Sequence, residues 1–272
     1  QGDAERLFSY YGVPKTFSVS ALPVRGTGIG GPVGYWLRTV SFFRAARRYV
    51  RQSRPDVVYT REPAAGLFFS SHILELHALP ARVRTVHCFL WRCARCLVVL
   101  TPFIKETLVE SGVSPERVHT APDAVSAVHL DADITQKAAR RALGLPRDRS
   151  IVGYVGKYAT PFGKGKGVDE LIAAFPDIQV RCPDAFLLLV GMNPGRIEHV
   201  CTLCDEAGIA AEDRVVVGHV PQADVVKYLR AADVLVMNYP WSEHHAYQMS
   251  SMKLFEYMAA CLPIVATRLP SV

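Results

Sequence analysis

Residues 151–172 read IVGYVGKYATPFGKGKGVDELI. The first seven, IVGYVGK (151–157), form a β-rich apolar run, a stretch of glycines and lysines follows, and a helical pattern opens near Val168. A strand, a glycine-rich basic loop and a helix in that order bring backbone N–H groups and two or three lysines together at the carboxyl edge of the strand, a place that binds phosphate. It is not a Walker loop, because no Ser or Thr follows the Gly-Lys pair to hold magnesium. The competing reading is a solvated basic loop.

Working outward, the alternation continues. Strands are expected at FLLLVG (186–191), RVVVGH (214–219), VLVMNY (234–239) and PIVAT (263–267), with helical patterns VDELIAAF, RIEHVCTLCDEAG, ADVVKYLRAA and KLFEYMAAC between them. Each strand is a continuous apolar run, as expected when helices cover both faces of a parallel sheet. Upstream, strands are expected at 17–23, 56–62, 72–76, 97–101 and 117–122, and a long helix, GYWLRTVSFFRAARRYVRQ, just after Pro32 and Val33. After Asp123 the pattern weakens, passes through a helix around TQKAARRALGL and reaches Pro146 and a charged DRS turn. A domain boundary is placed there, giving an N-terminal domain over 1–147 with its linker and a C-terminal domain over 148–272. The fold class is α/β with two Rossmann-like parallel-sheet domains.

With 272 residues, half of them apolar, the chain has material for two cores. The formal charge of +6 suits nucleic acid, anionic lipid or a phosphorylated small molecule equally. No run of roughly eighteen apolar residues suits a membrane span. The chain starts at Gln1 without a leader pattern, and no helix follows its last strand, so both ends read as cut. Seven cysteines form an odd set without framework spacing, which favours a reducing cytoplasm. Cys93 with Cys96 and Cys201 with Cys204 have zinc-like spacing, but both pairs fall in helical patterns and read as small buried hydrophobes. No metal site is expected.

Two further motifs yield to plainer readings. Gly26, Gly28 and Gly31 have dinucleotide-fingerprint spacing, but Asp56 begins the next strand instead of ending it, so a flexible loop is preferred. Asp131 and Asp133 form a D-x-D directly before a helical run, where an N-cap is the better reading. A richer segment is WSEHHAYQMSSMKLFEYMAACLPIVAT (241–267). Ser250 or Ser251 is placed to cap a helix carrying Lys253 and Glu256, whose N-terminus would offer amides to an anion. Glu256 on an otherwise apolar helix needs partners if buried, and paired hydroxyls such as those of a ribose would supply them.

At these two segments the chain resembles the family-4 (group 1) retaining glycosyltransferases of GT-B fold. The likeness runs in order through PDVVYTRE, LELHALP, LVVLTPFIKETLVESGV, PDAV, LGLP, YVGK, KGVDELIAAF, LLLVG, RVVVGHVP, LRAADVLVMN and KLFEYMAACLPIVAT. It implies two domains facing across a cleft, incomplete at both termini, with a nucleotide-sugar donor, UDP- or GDP-linked, on the C-terminal side. Lys157 and Lys166 would hold the donor diphosphate, with Lys164 a competitor for the second role and Gly167, Ser250, Ser251, Lys253 and Glu256 completing the donor site. The family often has Arg at the first of these; Lys157 keeps the charge without the guanidinium fork. The family's paired glutamates, seven residues apart, fall on Gln248 and Glu256, so only the second is acidic here. His77, in ELH, matches a histidine facing the donor sugar.

The resemblance implies front-face transfer to an acceptor hydroxyl with retention, without metal or other cofactor, in the assembly of an envelope or exopolysaccharide glycan. The acceptor would be a glycan or a lipid-linked molecule. Arg38, Arg44, Arg47, Arg48 and Arg51, beside Trp36, Phe42, Phe43 and Tyr49 on the long helix, fit contact with anionic lipid at the inner face of the cytoplasmic membrane, or else a solvated helix face. Rival functions are a nucleotide-sugar-binding but inactive domain and an epimerase on the same fold; nucleic-acid binding lacks a reader motif.

Overall fold

The computed structural model describes residues 6–8, 11, 13–126, 133–159 and 165–272. Lys164 and Asp131 lie outside them. Two parallel sheets carry the chain. The first joins β1 (Tyr59–Thr60), β2 (Ile73–Leu76), β3 (Cys96–Val99) and β4 (Val118–Thr120) in sequential order. Its helices are α1 (Gly31–Ser53), α2 (Thr85–Cys93) and α3 (Pro102–Glu110). Leu74, Leu97, Ile104, Leu108 and Trp91 form its buried core.

The second lobe begins with α4 (Gln136–Leu143) and β5 (Ser150–Val155), followed by α5 (Val168–Arg181), β6 (Ala185–Val190), α6 (Ile197–Glu206) and β7 (Arg214–Val217). It is completed by α7 (Gln222–Ala231), β8 (Val234–Met237), α8 (Met252–Ala259) and β9 (Ile264–Ala266). The sheet order is β7-β6-β5-β8-β9. After β5 the chain steps outward through β6 and β7, then returns to the other side of β5 with β8. Connections leave β5 and β8 towards opposite faces, which opens a crevice at their carboxyl ends.

Apolar clusters cover both faces of this sheet. Tyr257, Leu188 and Leu235 pack on one side and Phe175, Leu187 and Val200 on the other. Each fully buried side chain of this kind contributes about 1.5–3 kcal/mol. Helix α4, assigned from sequence to the stretch before the boundary, is fastened to the second lobe. Arg140, buried, meets Asp233 at 2.6 Å and also donates to the carbonyls of Ala231, Arg147 and Arg149.

Several expectations for the first lobe are corrected. Residues 17–23 form no strand: Phe17 and Val19 lie exposed, and without a ladder partner an alternating pattern has nothing to bury against. The strand expected over 56–62 shrinks to Tyr59–Thr60, since Pro63 opens a 3₁₀ turn, Pro63–Leu67, whose first free amide is taken by the Glu62 carboxylate. Cys93 ends α2 while Cys96 starts β3, so that pair does not share a helix. Among the described residues no group of three or more His, Cys, Asp or Glu side chains is arranged to hold a metal. No helix among them is long and apolar enough to cross a membrane.

Candidate functional site: a lysine-lined crevice at the β5–β8 switch

The crevice is built from the carboxyl edge of the second sheet. Tyr154, one residue from the end of β5, is buried, and its hydroxyl lies 3.0 Å from the Lys157 carbonyl and 3.4 Å from that of Lys166. The Lys166 N–H donates to the Tyr158 carbonyl at 3.1 Å. These bonds fold the basic loop back on its own strand, so that two lysines nine positions apart reach one cavity.

Gly167 then starts α5 in the left-handed region, φ +88°. A Cβ there would lie 2.1 Å from the Asn238 carbonyl oxygen, and the Asn238 amide donates to the Gly167 carbonyl. Only glycine permits that approach. Gly167 thus locks the loop to β8 but does not itself line the cavity.

Helix α8 supplies the third lysine. The Tyr257 hydroxyl accepts the Val155 N–H at 2.9 Å and lies 3.2 Å from the Val155 carbonyl, anchoring the helix to the end of β5. Lys253, one turn earlier, is thereby driven beneath Gly156, where a Cβ would sit 2.6 Å from its Cε. Its ammonium lies 3.7 Å from the centroid of the Tyr154 ring and 5.0 Å from that of Tyr239. Among the described residues it has no hydrogen-bond partner. Burial, and after it the charge of Lys166, pushes the Lys253 ammonium well below its usual pKa, while Glu256 opposes the shift. Burial and Lys157 lower Lys166 too. Like charges held together out of water await an anion.

Lys157, Lys166, Ser250, Ser251, Lys253 and Glu256 line one cavity of about 440 Å³, a size suited to a small-molecule ligand. Ser251 holds the N-cap position of α8, but its hydroxyl is directed to Tyr239 (3.3 Å) and no side chain caps the helix. The first amides of α8 are therefore left for a ligand, and the helix end adds partial positive charge. Ser250 accepts the Asp123 N–H at 2.8 Å from the first lobe, so it too is no cap. Glu256 is half-buried, and Gln222 donates to it at 3.2 Å.

Neither residue assigned to the reacting sugar lines this cavity. Gln248 is buried, and its Oε1 accepts the Leu79 N–H at 2.7 Å from the opposite lobe. It closes a π-helical turn, His244–Gln248, from which Tyr247 also reaches the first lobe, its carbonyl accepting from Thr101 at 2.7 Å and its ring stacking on Phe103. The turn bridges the lobes, a role that the glutamate-pair spacing did not reveal. His77 sits at the end of β2, paired with Glu75. Glu75 is bound as well by Tyr59 at 2.7 Å, and burial with this bond pushes the Tyr59 hydroxyl up to about 12. Burial raises the pKa of Asp123, in the cavity wall, and the neighbouring His77 opposes the shift. His77 itself is not among the residues that line the crevice.

Sequence reading missed Tyr154, Tyr239, Asn238, Gln222 and Tyr257. The signal for Tyr257 was present, as a polar tip directly after Glu256 on an apolar helix face.

Comparison with known proteins accords with this architecture. Residues 149–272 match the family described as "Glycosyl transferases group 1". A phosphatidyl-myo-inositol mannosyltransferase of Mycolicibacterium smegmatis is 26% identical over 235 residues, which cover 83% of this chain; the chain spans 57% of that relative's length. A glycosyltransferase from Rickettsia africae superposes with a TM-score of 0.69 at 12% identity, over 98% of this chain and 69% of the other. Anabaena HepE, solved in complex with UDP and glucose, gives 0.63 at 14% identity over 98% and 71%. The chain thus has the two-domain α/β architecture of GT-B glycosyltransferases, and over residues 149–272 it is similar to the group 1 glycosyl transferases.

Proposed function

We propose that the protein transfers a sugar from a nucleotide-sugar donor to an acceptor hydroxyl with retention of anomeric configuration. The observation that carries this reading is the Lys157–Lys166–Lys253 group at the β5–β8 crevice, whose innermost ammonium is buried without a hydrogen-bond partner among the described residues. A diphosphate answers that geometry, and Glu256 stands in the same wall for the hydroxyls of an attached ribose. The leaving nucleoside diphosphate gains charge in the transition state, where preorganised cations lower the barrier most. The acceptor proton passes to the departing phosphate oxygen, and the protein supplies orientation and exclusion of water. The donor is UDP- or GDP-linked, a reading supported by the UDP and glucose bound to Anabaena HepE and by the mannosyl transfer named for the mycolicibacterial relative.

The acceptor is a glycan or a lipid-linked molecule met at the membrane surface. Helix α1 supports the second: Arg44, Arg47, Arg48 and Arg51 are exposed beside exposed Trp36, Phe42 and Tyr49. Two members of the expected cluster serve elsewhere. Phe43 is buried and stacks on Phe68, and Arg38 donates to the carbonyls of Gly26 and Ile29, pinning the glycine loop.

The test is incubation with UDP- and GDP-sugars, with and without a mixture of lipid-linked and free glycan acceptors, followed by anomeric analysis of the product. Acceptor-dependent release of nucleoside diphosphate with retention supports the proposal. Altered sugar without acceptor is the epimerase result, and binding without turnover is that of an inactive binding domain; either overturns transfer.

A further inference from the structure

A second cavity, of about 700 Å³, lies at the amino edge of the first sheet, away from the donor crevice. The last turns of α1, the segment leading to β1, the loop before β2 and the residue before β3 form its walls. His72 lies in its wall, only 2% exposed, and among the described residues neither ring nitrogen has a hydrogen-bond partner. Burial lowers the pKa of this imidazole, and the Phe69 backbone opposes the shift.

Arg47 and Arg51 of α1 and Arg95, just before β3, line the same cavity, against one carboxylate, Asp56. None of these four side chains forms an ion pair among the described residues. A guanidinium fork matches the oxygen spacing of phosphate, and a buried imidazole supplies a donor to one further oxygen. Phe68 and Phe69 give the same cavity an apolar side. A bare anion would leave that side unused, whereas a phosphate carried on an organic group would fill both. The carbonyl end of α1 lies close by, and its partial negative charge opposes an anion that the three arginines attract.

We propose that this cavity is a binding site for a phosphate monoester, held by Arg47, Arg51, Arg95 and His72 independently of the donor crevice. The ester is either a soluble organic phosphate or the headgroup of an anionic lipid.

Titration of the intact chain with inorganic phosphate and with glycerol-3-phosphate, followed through the assigned imidazole ¹H–¹⁵N resonances of His72, tests this. Expected is a saturable shift whose midpoint rises at least tenfold in the Arg51→Gln/Arg95→Gln double variant, both positions being exposed, and stays within twofold in Lys166→Ala. Stationary His72 resonances, or the same midpoint in the double variant, would overturn the site. Vesicles of phosphatidylcholine with and without phosphatidic acid distinguish the sources. Sedimentation only with phosphatidic acid, reduced in the double variant, identifies the lipid headgroup; a His72 shift with glycerol-3-phosphate and no such sedimentation identifies a soluble ester.

Discussion

The ammonium of Lys253 rests 3.7 Å from the centre of the Tyr154 ring, while the Tyr154 hydroxyl holds the backbone of the loop that carries Lys157 and Lys166. One buried tyrosine thereby organises all three cations of the crevice. Its ring face gives the innermost lysine a partial partner worth up to about 2 kcal/mol when desolvated, less than the cost of removing an ammonium from water. The crevice is electrostatically incomplete until an anion enters.

A proton-linkage experiment reads that incompleteness. With its folded-state pKa depressed below the unfolded value, Lys253 binds fewer protons folded than unfolded across the window between the two. Stability of the unliganded protein therefore rises with pH through that window. A bound diphosphate raises the lysine pKa, so binding takes up a proton and weakens as pH rises. Calorimetry in buffers of different ionisation enthalpy should show proton uptake in the wild type and less in Lys253→Met. That variant should also unfold at higher temperature while binding at least tenfold more weakly, as for a lost charged hydrogen bond.

Gly167→Ala should be costly in a way that its absence from the cavity wall conceals. The new methyl group meets the Asn238 carbonyl at 2.1 Å and adopts a left-handed φ. A loss of about 1–3 kcal/mol in urea unfolding is expected. Nucleotide affinity should fall with it, because Lys166 is the preceding residue. Unchanged stability would show that the β8 contact does not hold the loop.

The bridge between lobes makes a different prediction. Gln248→Ala removes the acceptor for the Leu79 N–H without touching the cavity wall. Nucleoside diphosphate affinity should stay within about twofold, the loss expected being one neutral hydrogen bond felt in closure alone. Turnover should drop, read as a change in kcat with little change in donor KM. A large loss of affinity would return Gln248 to the donor site.

Asp233 anchors α4 and the start of β5 together, accepting from Arg140 at 2.6 Å and from the Ile151 N–H at 2.7 Å. Asp233→Ala leaves the buried guanidinium without its counter-charge, and a loss of about 2–4 kcal/mol is expected by chemical denaturation. Part of that penalty is relieved by the carbonyls that Arg140 keeps.

The second lobe was legible because its strands are buried on both faces and so read as unbroken apolar runs. Strands β5 to β9 fall within about two residues of the expected limits. The first lobe was harder. Its strands are short, and the exposed run at 17–23 copies a strand pattern without a neighbour to pair with. In the site, charge and glycine spacing pointed to the lysines and to Glu256. What the sequence withheld was long-range: that Tyr154 ties two lysine carbonyls together, and that Gln248 spends its oxygen on a backbone 169 positions away.

The most direct test of the account is isothermal titration of UDP and GDP into the wild-type chain, Lys166→Ala and Glu256→Ala. One nucleoside diphosphate should bind the wild type. Each substitution should weaken it by about 1.5–3 kcal/mol, as for a lost charged hydrogen bond. Equal affinity in all three proteins would contradict the assignment of the β5–β8 crevice as the donor site.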